Sequence, residues 1–176
     1  MTDANMKTFP RYIAYTHGSC IPNPGNGGHA YLLYDPDYAA KEWSSGEVDT
    51  TNNVQALKAV IEVIKATPAG SYLTVMTNSN YVRDGCIEHM PIWLAKGWEN
   101  AQKKPIKNKD LWVTLNGFLE NHAVVTFELI DAHSGNQDSS RVVQLAKDAA
   151  KQASTDQLNR LKNGPDDEQD VCHVEW

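Results

Sequence analysis

With 176 residues, 41% of them apolar, the chain can bury one ordinary core but is short for two full domains. It contains no run of about 18 apolar residues, and its opening MTDANMKTFPR lacks the apolar centre of a signal peptide, which argues against a membrane span or export and for the cytoplasm. A net charge of -6 argues against capture of nucleic acid by bulk electrostatics, and Cys20, Cys86 and Cys172, odd in number and widely spaced, fit neither a disulfide framework nor a zinc ribbon.

Tyr12 to Thr16, rich in aromatic and β-branched residues, and His29 to Tyr34 are predicted strands, joined by a Pro-Asn-Pro-Gly-Asn-Gly-Gly loop with turn chemistry. A third strand around Lys41 to Gly46 completes a meander. Val54, Leu57, Ile61 and Ile64 recur on one face of a helix. Ser71 to Thr77 is a compact strand ending at Asn78, a residue type suited to capping a helix through Tyr81 and Val82. Helical stretches follow around Met90 to Lys96 and from Lys109 to Asn121, then a strand from Val124 to Ile130. Asp138 or Ser139 is expected to cap a last helix in which Val142, Leu145, Ala146 and Ala149 share one side.

The order β-β-β-α-β-α-α-α-β-α predicts a mixed α/β domain over residues 10–153, with an N-terminal tail at 1–9 and a flexible acidic tail at 154–176. In such sheets functional groups collect where strands end. Three of these ends carry polar groups: His17 after the first strand, Asn78 after the fourth, and Asp131 with His133 after the fifth. Charge is also uneven, since residues 96–109 hold five lysines against one glutamate, whereas residues 151–176 carry three positive and six negative side chains.

At these segments the chain resembles type 1 ribonuclease H, the enzyme that cuts the RNA strand of an RNA-DNA hybrid. THGSCIPNPGNGG at 16–28, TTNN at 50–53, TNSNYV at 77–82, KGWENAQKKPIKNKDLW at 96–112 and AHSG at 132–135 follow the family's motifs in order. The resemblance spans about residues 11–152 and implies a ribonuclease H-like α/β fold, a five-stranded mixed sheet flanked by helices. It also implies four carboxylates, but the matching positions hold His17, Ala56, Asn78 and Val143. Two divalent ions roughly 4 Å apart would repel by about 16 kcal/mol at an effective dielectric near 20, a cost that carboxylates normally offset. These residues offer no anion, so the expectation is a protein without the family's catalysis, a pseudo-enzyme with His17 as a placeholder and no cofactor. A rebuilt site for zinc or another transition metal, formed by His17, Asp131 and His133, is the alternative.

The binding positions are better kept. Asn23, Thr51, Asn52, Asn53 and Asn80 match family positions that resemble sugar and phosphate contacts, and short amides suit a 2'-hydroxyl, which both donates and accepts. Turn chemistry is the other reading of Asn23. Trp93, Lys96, Trp98, Lys103, Lys104 and Lys107 resemble the family's basic hybrid-binding segment, and His133 stands in its loop. Asp84, Glu88 and Glu99 dilute that basicity, and a solvated helical face with core tryptophans is the other reading of the segment. The expectation is binding of an RNA-DNA hybrid or double-stranded RNA without cleavage, inside a larger nucleoprotein complex. A scaffold subunit with a protein partner, or a nuclease with the rebuilt metal site, would be the alternative.

Overall fold

A computed structural model describes residues 9–131 and 134–163. The chain runs β1 (Arg11–Cys20), β2 (Gly25–Tyr34), β3 (Ala40–Thr50), α1 (Asn52–Ala66), β4 (Tyr72–Thr77), α2 (Asn80–Asp84), a π-helical turn (Gly85–His89), α3 (Met90–Ala95), α4 (Lys109–Leu119), β5 (Val124–Leu129) and α5 (Gln137–Asn163). The five strands form one mixed sheet in the order β3-β2-β1-β4-β5. β1, β2 and β3 pair antiparallel, whereas β1 with β4 and β4 with β5 pair parallel. The expected α/β architecture is thus present.

Alternation along the strands sorts side chains between two faces. Ala14, Tyr31 and Leu33 join Leu57, Val60, Ile64, Leu73, Val75, Trp112 and Leu115 in the main core beneath α1 and α4. Ala30 and Tyr15 meet Val142, Leu145 and Ala146 of α5 in a smaller cluster. Each fully buried Leu, Ile or Val contributes roughly 1.5–3 kcal/mol of transfer free energy, so the larger cluster carries most of the stability. Trp112, wholly buried, satisfies its ring N–H by donating to the Tyr81 hydroxyl at 3.0 Å.

The first three strands run longer than patterning suggests, while β4 and β5 are each one residue shorter than expected. β2 begins at Gly25 rather than His29, because the Gly-rich segment pairs with β1 through Gly28↔Ser19 and Gly27↔Cys20. The last helix is capped by Asn136, whose Oδ1 accepts from the Ser139 amide at 2.8 Å, and not by Asp138 or Ser139. Asp138 instead accepts a hydrogen bond from the Tyr34 hydroxyl at 2.8 Å. α5 also continues through Asn163, past the expected domain end at 153, since no glycine or proline interrupts it before Gly164. Among the described residues no helix is long and apolar enough to cross a membrane.

α5 lies unusually close to the sheet. A Cβ on Gly28 would stand 2.1 Å from the carbonyl oxygen of Ala146, and one on Gly46 would stand 2.1 Å from that of Ala149. At one end of the main core sits a polar exception, where buried His29 donates through Nδ1 to Gln55 Oε1 at 2.7 Å. Burial chiefly holds the His29 pKa below its ordinary 6.5, aided by Lys58 and opposed by the Gln55 hydrogen bond, Glu62 and Glu47.

Two outcomes are expected. Gly28→Ala should cost about 1–3 kcal/mol in urea unfolding, because the obstructing atom is backbone and α5 must move as a unit. In the second, the unfolded chain protonates His29 near pH 6.5 while the folded chain resists, so stability present at pH 7 falls as pH drops below 6.5 toward the lower folded value. Urea midpoints at pH 7 and pH ~5.5 should record that fall, and His29→Gln should reduce it.

Candidate functional site

The parallel pairing of β1 with β4 sets Thr16 opposite Thr77, which brings the next residues, His17 and Asn78, side by side as the chains leave that ladder. His17 Nδ1 lies 3.1 Å from Asn78 Oδ1. An amide oxygen only accepts, so Nδ1–H donates and Nε2 keeps its lone pair. Burial is the main cause of a His17 pKa below 6.5, with the Lys147 ammonium adding to it and the Asn78 hydrogen bond opposing it, so the imidazole is neutral at pH 7. Asn78 is not the cap of the following helix. Ser79 takes that role, its Oγ accepting from the Val82 amide at 3.3 Å, which frees the Asn78 side chain to meet His17.

Ala56 reaches the same place because Gly18 has no side chain. A Cβ there would stand 2.2 Å from the Ala56 nitrogen, so the first turn of α1 rests directly on β1. A cleft of about 350 Å³ opens between them, lined by His17, Gly18, Ser19, Cys20, Ile21, Asn52, Asn53, Ala56, Asn78 and Ser79. Val143, half-buried on α5 one turn before Lys147, is not among its lining residues.

The donors of this cleft are an imidazole, amides, hydroxyls and the Cys20 thiol. A hard, oxygen-seeking magnesium pair needs anionic ligands to offset its mutual repulsion. The residues present do not fit such a pair, and no chemical step is derived through one. The rebuilt metal site expected from His17, Asp131 and His133 gains no support: His133 lies outside the described residues, and among those described no group of three His, Cys, Asp or Glu is placed to hold an ion.

The expected binding residues divide between structural and open roles. Thr51 caps α1, accepting from the Val54 amide at 3.3 Å. Asn23 Oδ1 accepts from the Asn52 amide at 3.2 Å, which clamps the Pro-Asn-Pro loop to the start of α1. Exposed Asn52 and half-buried Asn53 line the cleft, while exposed Asn80 opens α2. Trp93 and Trp98 both pack against the core, Trp93 edge-on to Trp112 with centroids 5.1 Å apart. Trp98 also ties into the basic segment through its backbone, its carbonyl accepting from the Ile106 amide at 3.1 Å.

That segment is a small hairpin. Glu99 bridges Pro105, and Asn100 Oδ1 accepts from the amides of Gln102 at 2.9 Å and Lys104 at 3.0 Å. Lys103 and Lys104 stand exposed in this turn, with Lys96 and Lys107 exposed nearby in sequence. Asp84, expected to weaken the patch, is paired with Arg83 at 2.6 Å. Sequence reasoning missed Ser79 as cap, the electrostatic influence of Lys147 on His17, and the His29–Gln55 pair. A glutamine inside the apolar face of α1 was the available signal for the last.

Comparison with known proteins bears on what this cleft does. A model of the RNase H family matches residues 10–151. Ribonuclease H of Hydrogenovibrio crunogenus (strain DSM 25203 / XCL-2) is 42% identical over 135 residues, 77% of this chain and 92% of that protein. Ribonuclease H of Jannaschia sp. (strain CCS1) is 38% identical over 142 residues, 78% of this chain and 90% of that protein. Among solved structures, LC9-RNase H1, described as a type 1 RNase H with the type 2 active-site motif, superposes with a TM-score of 0.73 at 26% identity, covering 82% of this chain and 74% of that one. These relatives overturn the expectation of a pseudo-enzyme that binds duplexes without cutting them, and with it the scaffold alternative, because near-full-length relatives at this identity bear an enzyme's name. Cleft, sheet order and motifs agree with that similarity, and the chain belongs to the ribonuclease H family.

Proposed function

We propose that this chain is a nuclease that acts on the RNA strand of an RNA-DNA hybrid. The observation that carries the reading is the 38–42% identity to proteins named Ribonuclease H over nine-tenths of their length. The hybrid lies across the cleft with Asn23, Asn52, Asn53 and Asn80 facing sugar and phosphate groups, Thr51 shaping that edge, and Lys96, Lys103, Lys104 and Lys107 attracting the backbone. Trp93 and Trp98 hold the lysine segment in place, and His133, outside the described residues, is a hybrid contact in this reading by its sequence motif alone. Action in the cytoplasm is part of the proposal.

Among the described residues lining the cleft, His17 is the one whose neutral ring offers a nitrogen lone pair, at Nε2. It serves as general base in this reading, with Asn78 fixing its tautomer and ring orientation. Bases so placed contribute about 10²–10⁴-fold to a rate.

End-labelled RNA-DNA hybrid, incubated with the purified chain in magnesium, in manganese and in chelator, tests the proposal directly. Cleavage confined to the RNA strand is expected in at least one condition, slowed about 10²-fold or more by His17→Ala. A chain that binds hybrid yet leaves the RNA whole in all three conditions would end the reading, and equal cleavage of double-stranded RNA would shift the substrate. The lysine segment is checked separately by anisotropy titrations between roughly 50 and 200 mM salt. Replacing Lys103, Lys104 and Lys107 together by alanine should make the logarithmic salt dependence of hybrid affinity shallower by about 2 to 3.

A further inference from the structure

Beneath the edge formed by Thr51, Asn52 and Asn53 lies a buried polar junction that the cleft chemistry does not use. Gln55 is wholly buried, yet its amide is engaged on both sides. Its Oε1 accepts from His29 Nδ1 at 2.7 Å on β2, and its Nε2 donates to Glu47 Oε2 at 2.8 Å and Thr50 Oγ1 at 2.9 Å on β3. Lys58, one turn along α1, pairs with the same Glu47 oxygen. Gly27 makes the room: a Cβ there would stand 2.8 Å from Gln55 Cγ and 2.7 Å from Thr50 Cγ2.

Three elements therefore meet at one side chain. An apolar residue of similar size would fill this space without desolvating an amide, so a fully satisfied polar junction here acts on geometry more than on stability. It fixes Thr50 at the end of β3, and Thr50 leads directly into the cap Thr51. The Asn52 amide then carries that position across to Asn23 at 3.2 Å. Any slip of the α1 start against β3 would move both halves of the edge together.

We infer that Gln55 is a positioning residue: by tying α1 to Glu47, Thr50 and His29 it holds the Thr51–Asn53 turn and Asn23 in the arrangement that makes the chain prefer RNA-DNA hybrid over duplex DNA. The inference rests on the reading that this edge faces the hybrid. Phosphate attraction is supplied elsewhere, by the lysine segment, so loosening the junction costs discrimination while leaving non-specific affinity in place.

Gln55→Met keeps the volume and removes all three hydrogen bonds. With folding verified by circular dichroism melting, hybrid affinity should weaken about five- to tenfold while affinity for duplex DNA of matched length changes less than about twofold, the first loss corresponding to roughly one broken charge-assisted or buried hydrogen bond. Glu47→Ala, which leaves the His29–Gln55 bond intact, should give a smaller loss of the same kind, about threefold, and it decides the matter if Gln55→Met fails to fold. Unchanged hybrid preference in the folded variants would overturn the inference alone. A wild-type chain that binds hybrid no better than duplex DNA would overturn the underlying reading and this inference with it.

Discussion

The geometry of the cleft depends on an atom that is missing. With a side chain at position 18, Cβ would collide with the backbone of Gln55 and Ala56 at 2.2 to 2.7 Å, and the start of α1 would have to lift away from β1. Bare backbone lets the helix rest on the strand, so that residues of β1, α1 and the end of β4 line one cavity. The other face repeats the device, where Gly28 and Gly46 admit the backbone of α5. Sheet and helices are thus locked by contacts of backbone on backbone, which yield less than side chains do.

Electrostatics divide the work between two regions. The cleft is built of neutral polar groups, and His17 stays uncharged because burial outweighs its hydrogen bond to Asn78. Positive charge is concentrated instead on a hairpin clasped by Asn100, which projects lysines from a chain whose net charge is -6 and, in the proposed reading, attracts phosphate. Such exposed charge acts over about 8–10 Å at physiological salt, enough to attract a polyanion but too loose to align it. In the same reading, alignment falls to the short-range hydrogen bonds at the cleft edge. The neutral donor set also marks where this chain departs from an anionic two-ion site.

Much of the fold was legible from the chain alone. Period-2 and helical patterns placed five strands and the principal helices in order, and the motif series led to the family. The misreadings have specific causes. Asn78 has the composition of a cap, but its neighbour Ser79 has it too, and only the approach of His17 from β1 decided between them. Asp138 was likewise a good cap candidate until Tyr34, 104 residues away in sequence, claimed its carboxylate. The start of β2 escaped the pattern because glycine weakens strand propensity, whereas here Gly28 is the strand residue that α5 approaches and Gly27 is the one that gives Gln55 room. The expectation of lost catalysis came from four positions weighed without relatives, and the relatives corrected it.

By itself the sequence determined the order of elements, the position of the basic segment and the family motifs, because these follow from local periodicity, charge and residue identity. Tertiary structure alone decided that His17 meets Asn78, that Asn23 clamps Asn52, and that Gln55 joins β2, β3 and α1. Each of those contacts links residues from different elements, and their partners are chosen by strand register and helix approach. Local patterning carries no information about either.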